Sequence, residues 1–244
     1  MYASRLFALG VLLGTLALAA CGGSNSATTV RGSGTVKSET RDVQGFSQIA
    51  LSGMGTVIVR QGSAEGLRIE AEDNLLPLIS TTVSDDRLSI GVRDSNVSLH
   101  PTRPISYYIT ARQVSALHLS GTGEIRAPNL QTAALEVRID GAGSVTTDGL
   151  RADTLTVGIS GTGDYTGAGT AGTQYVSITG AGNYFTKQLQ STQATISIAG
   201  TGSATVRVSE SLNVEIKGIG TILYVGTPQV RQQISGIGAV TQTA

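Results

Sequence analysis

The sequence has one cysteine, no tryptophan, five prolines and only 4% aromatic residues. A lone cysteine excludes an internal disulfide framework. Charged residues make up 14%, against about 25% in an ordinary soluble domain, and 17 basic residues cancel 17 acidic ones. That balance supplies no electrostatic footprint for nucleic acid, and no nucleic-acid partner is expected. No stretch beyond the N-terminus is both apolar and long, and none has the periodicity of a useful amphipathic helix.

What the chain has in excess is glycine, 32 of 244 residues, where about 7% is usual. The glycines recur as Gly-x-Gly pairs: Gly53/Gly55, Gly121/Gly123, Gly141/Gly143, Gly161/Gly163, Gly180/Gly182, Gly200/Gly202, Gly218/Gly220 and Gly236/Gly238. From Gly121 the steps are 20, 20, 19, 20, 18 and 18 residues. Two positions before each pair stand Leu51, Leu119, Ile139, Ile159, Ile178, Ile198, Ile216 and Ile234. Four before stand Ile49, Leu117, Val137, Val157, Val176, Ile196, Val214 and Gln232. Four after the first glycine stand Val57, Ile125, Val145, Tyr165, Tyr184, Ala204, Ile222 and Val240. Of these 24 slots only Gln232 is polar. The period is two within a strand and about 20 between strands.

Such a unit cannot bury its apolar side alone, so copies must stack. The pattern predicts an all-β fold: a single-stranded, right-handed parallel β-helix with coils of about 20 residues. The glycine pairs sit at its corners, where coils approach closely or φ turns positive. An antiparallel sandwich or barrel is the competing architecture; the absence of hairpin turns such as Asn-Gly speaks against it. Gln232 and the polar tail Thr241–Ala244 fit a terminal coil facing water.

The N-terminus reads as a targeting segment. Arg5 precedes the apolar run Leu6–Ala20, too short to span a bilayer comfortably. Leu18-Ala19-Ala20-Cys21 resembles the lipobox of bacterial lipoproteins; the alternatives are a plain secretory signal or a single-pass anchor. The resemblance implies residues 1–20 are a signal peptide and Cys21 carries lipid, anchoring the protein to a membrane. Gly22 after the cysteine resembles the outer-membrane sorting class, if the host has two membranes. Residues 21–30 read as a flexible tether.

Residues 31–116 read as a β-rich N-terminal lobe continuous with the repeats of 117–244. Ile49/Leu51, Val57/Val59, Leu67/Ile69/Ala71 and Leu88/Ile90/Val92 alternate as strands. Asp73 is placed to cap a helical turn through Asn74–Leu76, with Pro77 early in the turn. Asp85-Asp86 forms a turn. The runs Gly45-Phe46-Ser47-Gln48-Ile49-Ala50-Leu51, Val57 to Gly62, Leu67 to Ala71, Asn74 to Leu76 and Arg87 to Ile90 resemble the head GIN family. The similarity extends over roughly Val43 to Val240. It implies a secreted or lipid-anchored bacterial protein with a surface-exposed β-helical head, in a family known as autotransporter adhesins. The matching motifs contain no reactive residue, so the resemblance implies the β-helical head more firmly than adhesion, and the adhesin label is an analogy from fold and location.

Chemistry is sparse. Gly-x-Gly lacks the third glycine and following helix of a dinucleotide site, and the lysine of a P-loop. Calcium β-rolls need an acidic ladder, but three residues after each first glycine only Glu124 and Asp164 are acidic. A single ion near Asp140, Asp148, Asp153 or Asp164 is the most that pattern allows, and neither metal nor cofactor is expected. His100 falls in a loop, His118 in an outward, solvated slot, and Ser52, Ser120, Ser160 and Ser235 have no base nearby in sequence. No catalytic residue is assigned. Tyr165 and Tyr184 share the inward register; Tyr175 is in the opposite one and is the exposed binding candidate.

The expected function is therefore a non-catalytic, lipid-anchored, adhesin-like or structural module of the cell envelope, monomeric, with a glycan or another envelope protein as partner. A polysaccharide lyase or hydrolase on the same fold, and an envelope stress or assembly factor, are the alternatives. Three or more charged side chains in one groove would favour the enzyme; flat Ser/Thr faces would favour the binding module.

Overall fold

The computed structural model describes residues 28–244; Cys21 and the signal segment lie outside them. The N-terminal part comprises β1 (Thr28–Arg31), β2 (Val36–Arg41), β3 (Gln48–Leu51), β4 (Met54–Gln61), β5 (Gly66–Glu72), β6 (Ile79–Ser84), β7 (Arg87–Val92), β8 (Val97–His100) and β9 (Ser106–Ala111). The stack comprises β10 (Ala116–Leu119), β11 (Thr122–Arg126), β12 (Gln131–Ile139), β13 (Ala142–Ile159), β14 (Thr162–Ile178), β15 (Ala181–Ile198), β16 (Thr201–Ile216), β17 (Ile219–Val225), β18 (Gln229–Ile234) and β19 (Ile237–Gln242). No helix among the described residues is long and apolar enough to cross a membrane.

Every pairing within the stack is parallel, one coil onto the next. Equivalent repeat positions are register partners: Val137 faces Val157, which faces Val176, then Ile196, and Ile139, Ile159, Ile178 and Ile198 run alongside. This parallel β-solenoid excludes the sandwich. The three apolar positions are buried in the first seven copies. Each buried aliphatic side chain contributes about 1.5–3 kcal/mol. The last copy departs from the pattern: Ile234 is 40% exposed because no further coil among the described residues stacks on it.

The glycine pairs are explained by close approach more than by φ. A Cβ on Gly121, Gly141, Gly161, Gly180, Gly200, Gly218 or Gly236 would overlap backbone carbonyl oxygens of the coil before it. The second glycine of each pair from Gly123 to Gly238 meets the preceding pair's carbonyl in the same way. Among the sixteen corner glycines only Gly55 and Gly143 have positive φ, at 118° and 156°. From Gly121 onward the amide of each first glycine donates to the carbonyl of the aliphatic residue two places ahead of the previous pair, as Gly161 N–H does to Ile139 O at 3.0 Å. Any side chain at these corners from Gly121 onward would push the coils apart, whereas at Gly53 a Cβ would meet only the Gly91 backbone, at 3.5 Å.

The stack continues into the N-terminal part, since β3 pairs with β10 and β4 with β11. There the topology changes. β5 lies antiparallel between β2 and β9, and β6 and β7 form a hairpin. Its turn is Asp85-Asp86 with φ of 51° and 62°, the type I′ geometry that suits hairpins. A hairpin is thus present, made by aspartates that tolerate this conformation. Residues 28–30, read from sequence as tether, belong to β1, which pairs in parallel with β8 and packs Val30 against the core. The turn near Pro77 is a 3-10 turn at Leu76–Leu78, and Asp73 does not cap it. Instead Asp73 accepts from Ser33 Oγ at 2.6 Å and pairs with Lys37 at 3.4 Å. Arg41 holds the turn, donating to Leu76 O and Ile79 O.

Candidate functional site

Side chains pointing outward from β10, β12, the ends of β13, β14 and β15, and from β16 form columns across the coils. One column runs Ala116, Glu136, Thr156, Tyr175, Thr195, Asn213. Its neighbour runs His118, Arg138, Gly158, Ser177, Ser197, Glu215. Only four of these twelve positions are Ser or Thr (Thr156, Ser177, Thr195 and Ser197), so the flat Ser/Thr face is realised in part, around the middle coils. Gly158 interrupts the second column, and a groove of about 300 Å³ opens above it. Its floor is the backbone Val157–Ile159. Glu136, Arg138 and Asp140 wall it on one side, Tyr175, Ser177 and Thr179 on the other.

Tyr175 is 48% exposed, whereas Tyr165 and Tyr184 are fully buried. The inward pair stacks with ring centroids 5.3 Å apart. Each buried hydroxyl is satisfied: Tyr165 shares a 2.5 Å hydrogen bond with Thr147, and Tyr184 donates to Gln174 Oε1 at 2.5 Å. Burial pushes both phenols well above their ordinary range. They are core groups, and of these three tyrosines Tyr175 is the accessible one.

The polar wall is an ordered network. Arg138 Nε donates to Glu136 Oε1 at 2.5 Å. Asp140 accepts from Ser160 Oγ at 2.5 Å and contacts His118 Nε2 at 2.6 Å. The Ser160 hydrogen bond, with help from His118 and Arg138, holds the Asp140 carboxyl below its ordinary value despite some desolvation. His118 is outward, as the sequence indicates, but paired rather than freely solvated. Asp140 lies between Ser160 and His118. A nucleophilic serine requires the imidazole to reach its oxygen, with the carboxylate behind the ring. Here the carboxylate occupies the imidazole's place.

A glycosidase needs two carboxyls with one kept protonated by a raised pKa. The Asp140 carboxyl in the groove is moved the other way. Among the described residues no three His, Cys, Asp or Glu side chains converge to hold a metal. Asp164 instead accepts from the Asn183 backbone and side chain. A wider furrow, about 1040 Å³, runs over the corner glycines from Gly143 to Ala239. Close coil packing already accounts for its missing side chains.

The sequence alone singled out Tyr175 but not its partners. Glu136, Arg138, Asp140 and Gly158 lie on two successive coils, and aligning the outward positions as closely as the inward ones exposes the gap at Gly158.

No curated protein matches the sequence. A crystal structure described as a "putative adhesin" from Bacteroides fragilis superposes with a TM-score of 0.84 at 25% identity, covering 88% of this chain and 100% of that one. A second "putative adhesin", from Parabacteroides distasonis, gives 0.71 at 22% identity over 88% of this chain and 100% of that one. A "putative lipid binding protein" from the same species gives 0.69 at 18% identity, covering 89% and 100%; at these lower identities the likeness is one of fold. Residues 45–228 match the family described as "Putative auto-transporter adhesin, head GIN domain", and the chain belongs to that family.

Proposed function

We propose that this chain is a lipid-anchored, non-catalytic, adhesin-like protein of the cell envelope that binds carbohydrate on the face carrying Tyr175. The observation that carries the reading is an accessible aromatic ring beside a groove walled by Glu136, Arg138 and Asp140. An aromatic face packs on the C–H side of a pyranose ring, and fixed carboxylate, guanidinium and hydroxyl groups can match its hydroxyls. Membership of a family described as adhesins supports a binding role at the surface or envelope. The lipid anchor rests on Leu18-Ala19-Ala20-Cys21, and outer-membrane sorting in a two-membrane host on Gly22.

Full-length protein in detergent micelles applied to a glycan array should bind a restricted set of sugars, and Tyr175→Ala should abolish the signal. Silence across the array would sink the carbohydrate reading and leave another envelope protein as the partner to seek. Cys21→Ser should move the protein out of the membrane fraction; unchanged partitioning would remove the anchor.

The enzyme reading has one specific observation in its favour, three charged side chains in one groove. Against it stand an Asp140 that is ionised and doubly held, and an imidazole held away from the serine. Turnover of a bound polysaccharide would reverse the ranking.

A further inference from the structure

Glycine in the middle of a strand weakens it, because the unfolded chain loses more freedom and no side chain packs. Nearly every glycine in the coils from Gly121 onward has a packing reason, since an added Cβ would meet a neighbouring coil's backbone or side chain. Gly158 does not. It lies inside β13 without positive φ, and among the described glycines of these coils it is the one whose Cβ would meet nothing within 4 Å. Its register partners Arg138 and Ser177 carry side chains without difficulty. The fold tolerates a side chain here, and the sequence omits it.

We infer that Gly158 is a specificity residue: it keeps open a slot along β13 that seats an uncharged hexopyranose chain between Tyr175 and the Glu136–Arg138–Asp140 wall. The inference rests on the carbohydrate-binding reading above. The slot floor is one strand, with Arg138 and Tyr175 on the strands to either side. Neighbouring strands lie about 4.8 Å apart, so the walls stand about two spacings apart, wide enough for one ring and too narrow for two side by side. From Thr156 to Ser160 the slot runs about 13 Å at some 3.3 Å per residue, which admits two rings end to end.

Charge selects the class. Glu136 and Asp140 are both acidic, and Arg138 is already engaged with Glu136 through Nε. A polyanionic glycan would meet two carboxylates along one wall of the slot, whereas vicinal hydroxyls can donate to them and accept from the remaining Arg138 N–H groups.

The test is calorimetric titration of the full-length protein in micelles with linear tetrasaccharides of β-1,4-glucose, β-1,4-N-acetylglucosamine and α-1,4-galacturonate. At least one neutral oligomer should bind, and Gly158→Thr should weaken it about tenfold or more, the scale of losing a central contact. The same variant should melt about 2–4 °C higher, because a β-branched residue replaces glycine in a strand with room for it. Undiminished neutral binding by the variant would overturn the role of Gly158 while leaving carbohydrate binding intact. Preferential binding of galacturonate would overturn the ligand class. A lower melting temperature would show that the fold needs this glycine, and no binding of any neutral oligomer would overturn the inference together with the reading beneath it.

Discussion

Two alanine substitutions three residues apart should act in opposite directions. In Gly161→Ala the new Cβ would overlap the carbonyl oxygens of Gly141 and Asp140 in the coil below. To reach ordinary contact the corner must move by more than about 1 Å. That movement breaks hydrogen bonds from Gly161 N–H to Ile139 O (3.0 Å) and from Thr162 N–H to Gly141 O (2.9 Å). At roughly 1 kcal/mol for each lost bond and about 1–3 kcal/mol for overpacking, the loss is about 3–5 kcal/mol. Gly158→Ala adds a methyl into open space and should gain about 0.5–1 kcal/mol. Urea unfolding followed by far-ultraviolet circular dichroism measures both. If Gly161→Ala costs less than about 1 kcal/mol, or the two variants shift stability in the same direction, close approach is not the reason for the corner glycines.

Tyr165→Phe should cost about 1–2 kcal/mol in the same assay, since it leaves the Thr147 hydroxyl buried without its 2.5 Å partner; no loss would mean the interior network is not a source of stability. Glu72 predicts a pH dependence. Burial alone would raise its carboxyl, but hydrogen bonds from Thr102 (side chain and backbone), Gly34 and Arg103 outweigh this and hold it below its ordinary value. A lowered folded pKa means the stabilisation is complete above the unfolded value and is lost as pH falls through the folded one. Melting curves should therefore show wild type losing stability below about pH 4.5, the ordinary Glu range, with Glu72→Gln less sensitive over that window. Parallel pH profiles would refute the assignment.

The inward residues were legible because burial imposes a repeating demand. Every coil must present aliphatic groups to the same interior, so Ile139, Ile159, Ile178 and Ile198 recur at one register, and Tyr165 and Tyr184 could be placed inside by position alone. Outward positions carry no such demand. His118 and Asp140 are 22 residues apart, and nothing local links them until the coils align their side chains at 2.6 Å. The N-terminal cap was harder for a related reason. Asp73 suits an N-cap by residue type, but Ser33 and Lys37 draw its carboxylate elsewhere. Likewise Thr28–Val30 look like linker until β8 offers them an edge.

By itself the sequence determined the class of fold, the coil length and the interior ladders, all consequences of a periodic burial pattern. Only the tertiary structure decided which glycines are required by packing and which is not. It brought Tyr175 opposite Glu136 across Thr156 and Ser177 opposite Arg138 across Gly158, and tied Glu72 to the loops around it. Those relations depend on which residues of separate coils become neighbours, and a spacing of about 20 residues along the chain becomes one strand spacing, about 4.8 Å, only when the coils stack.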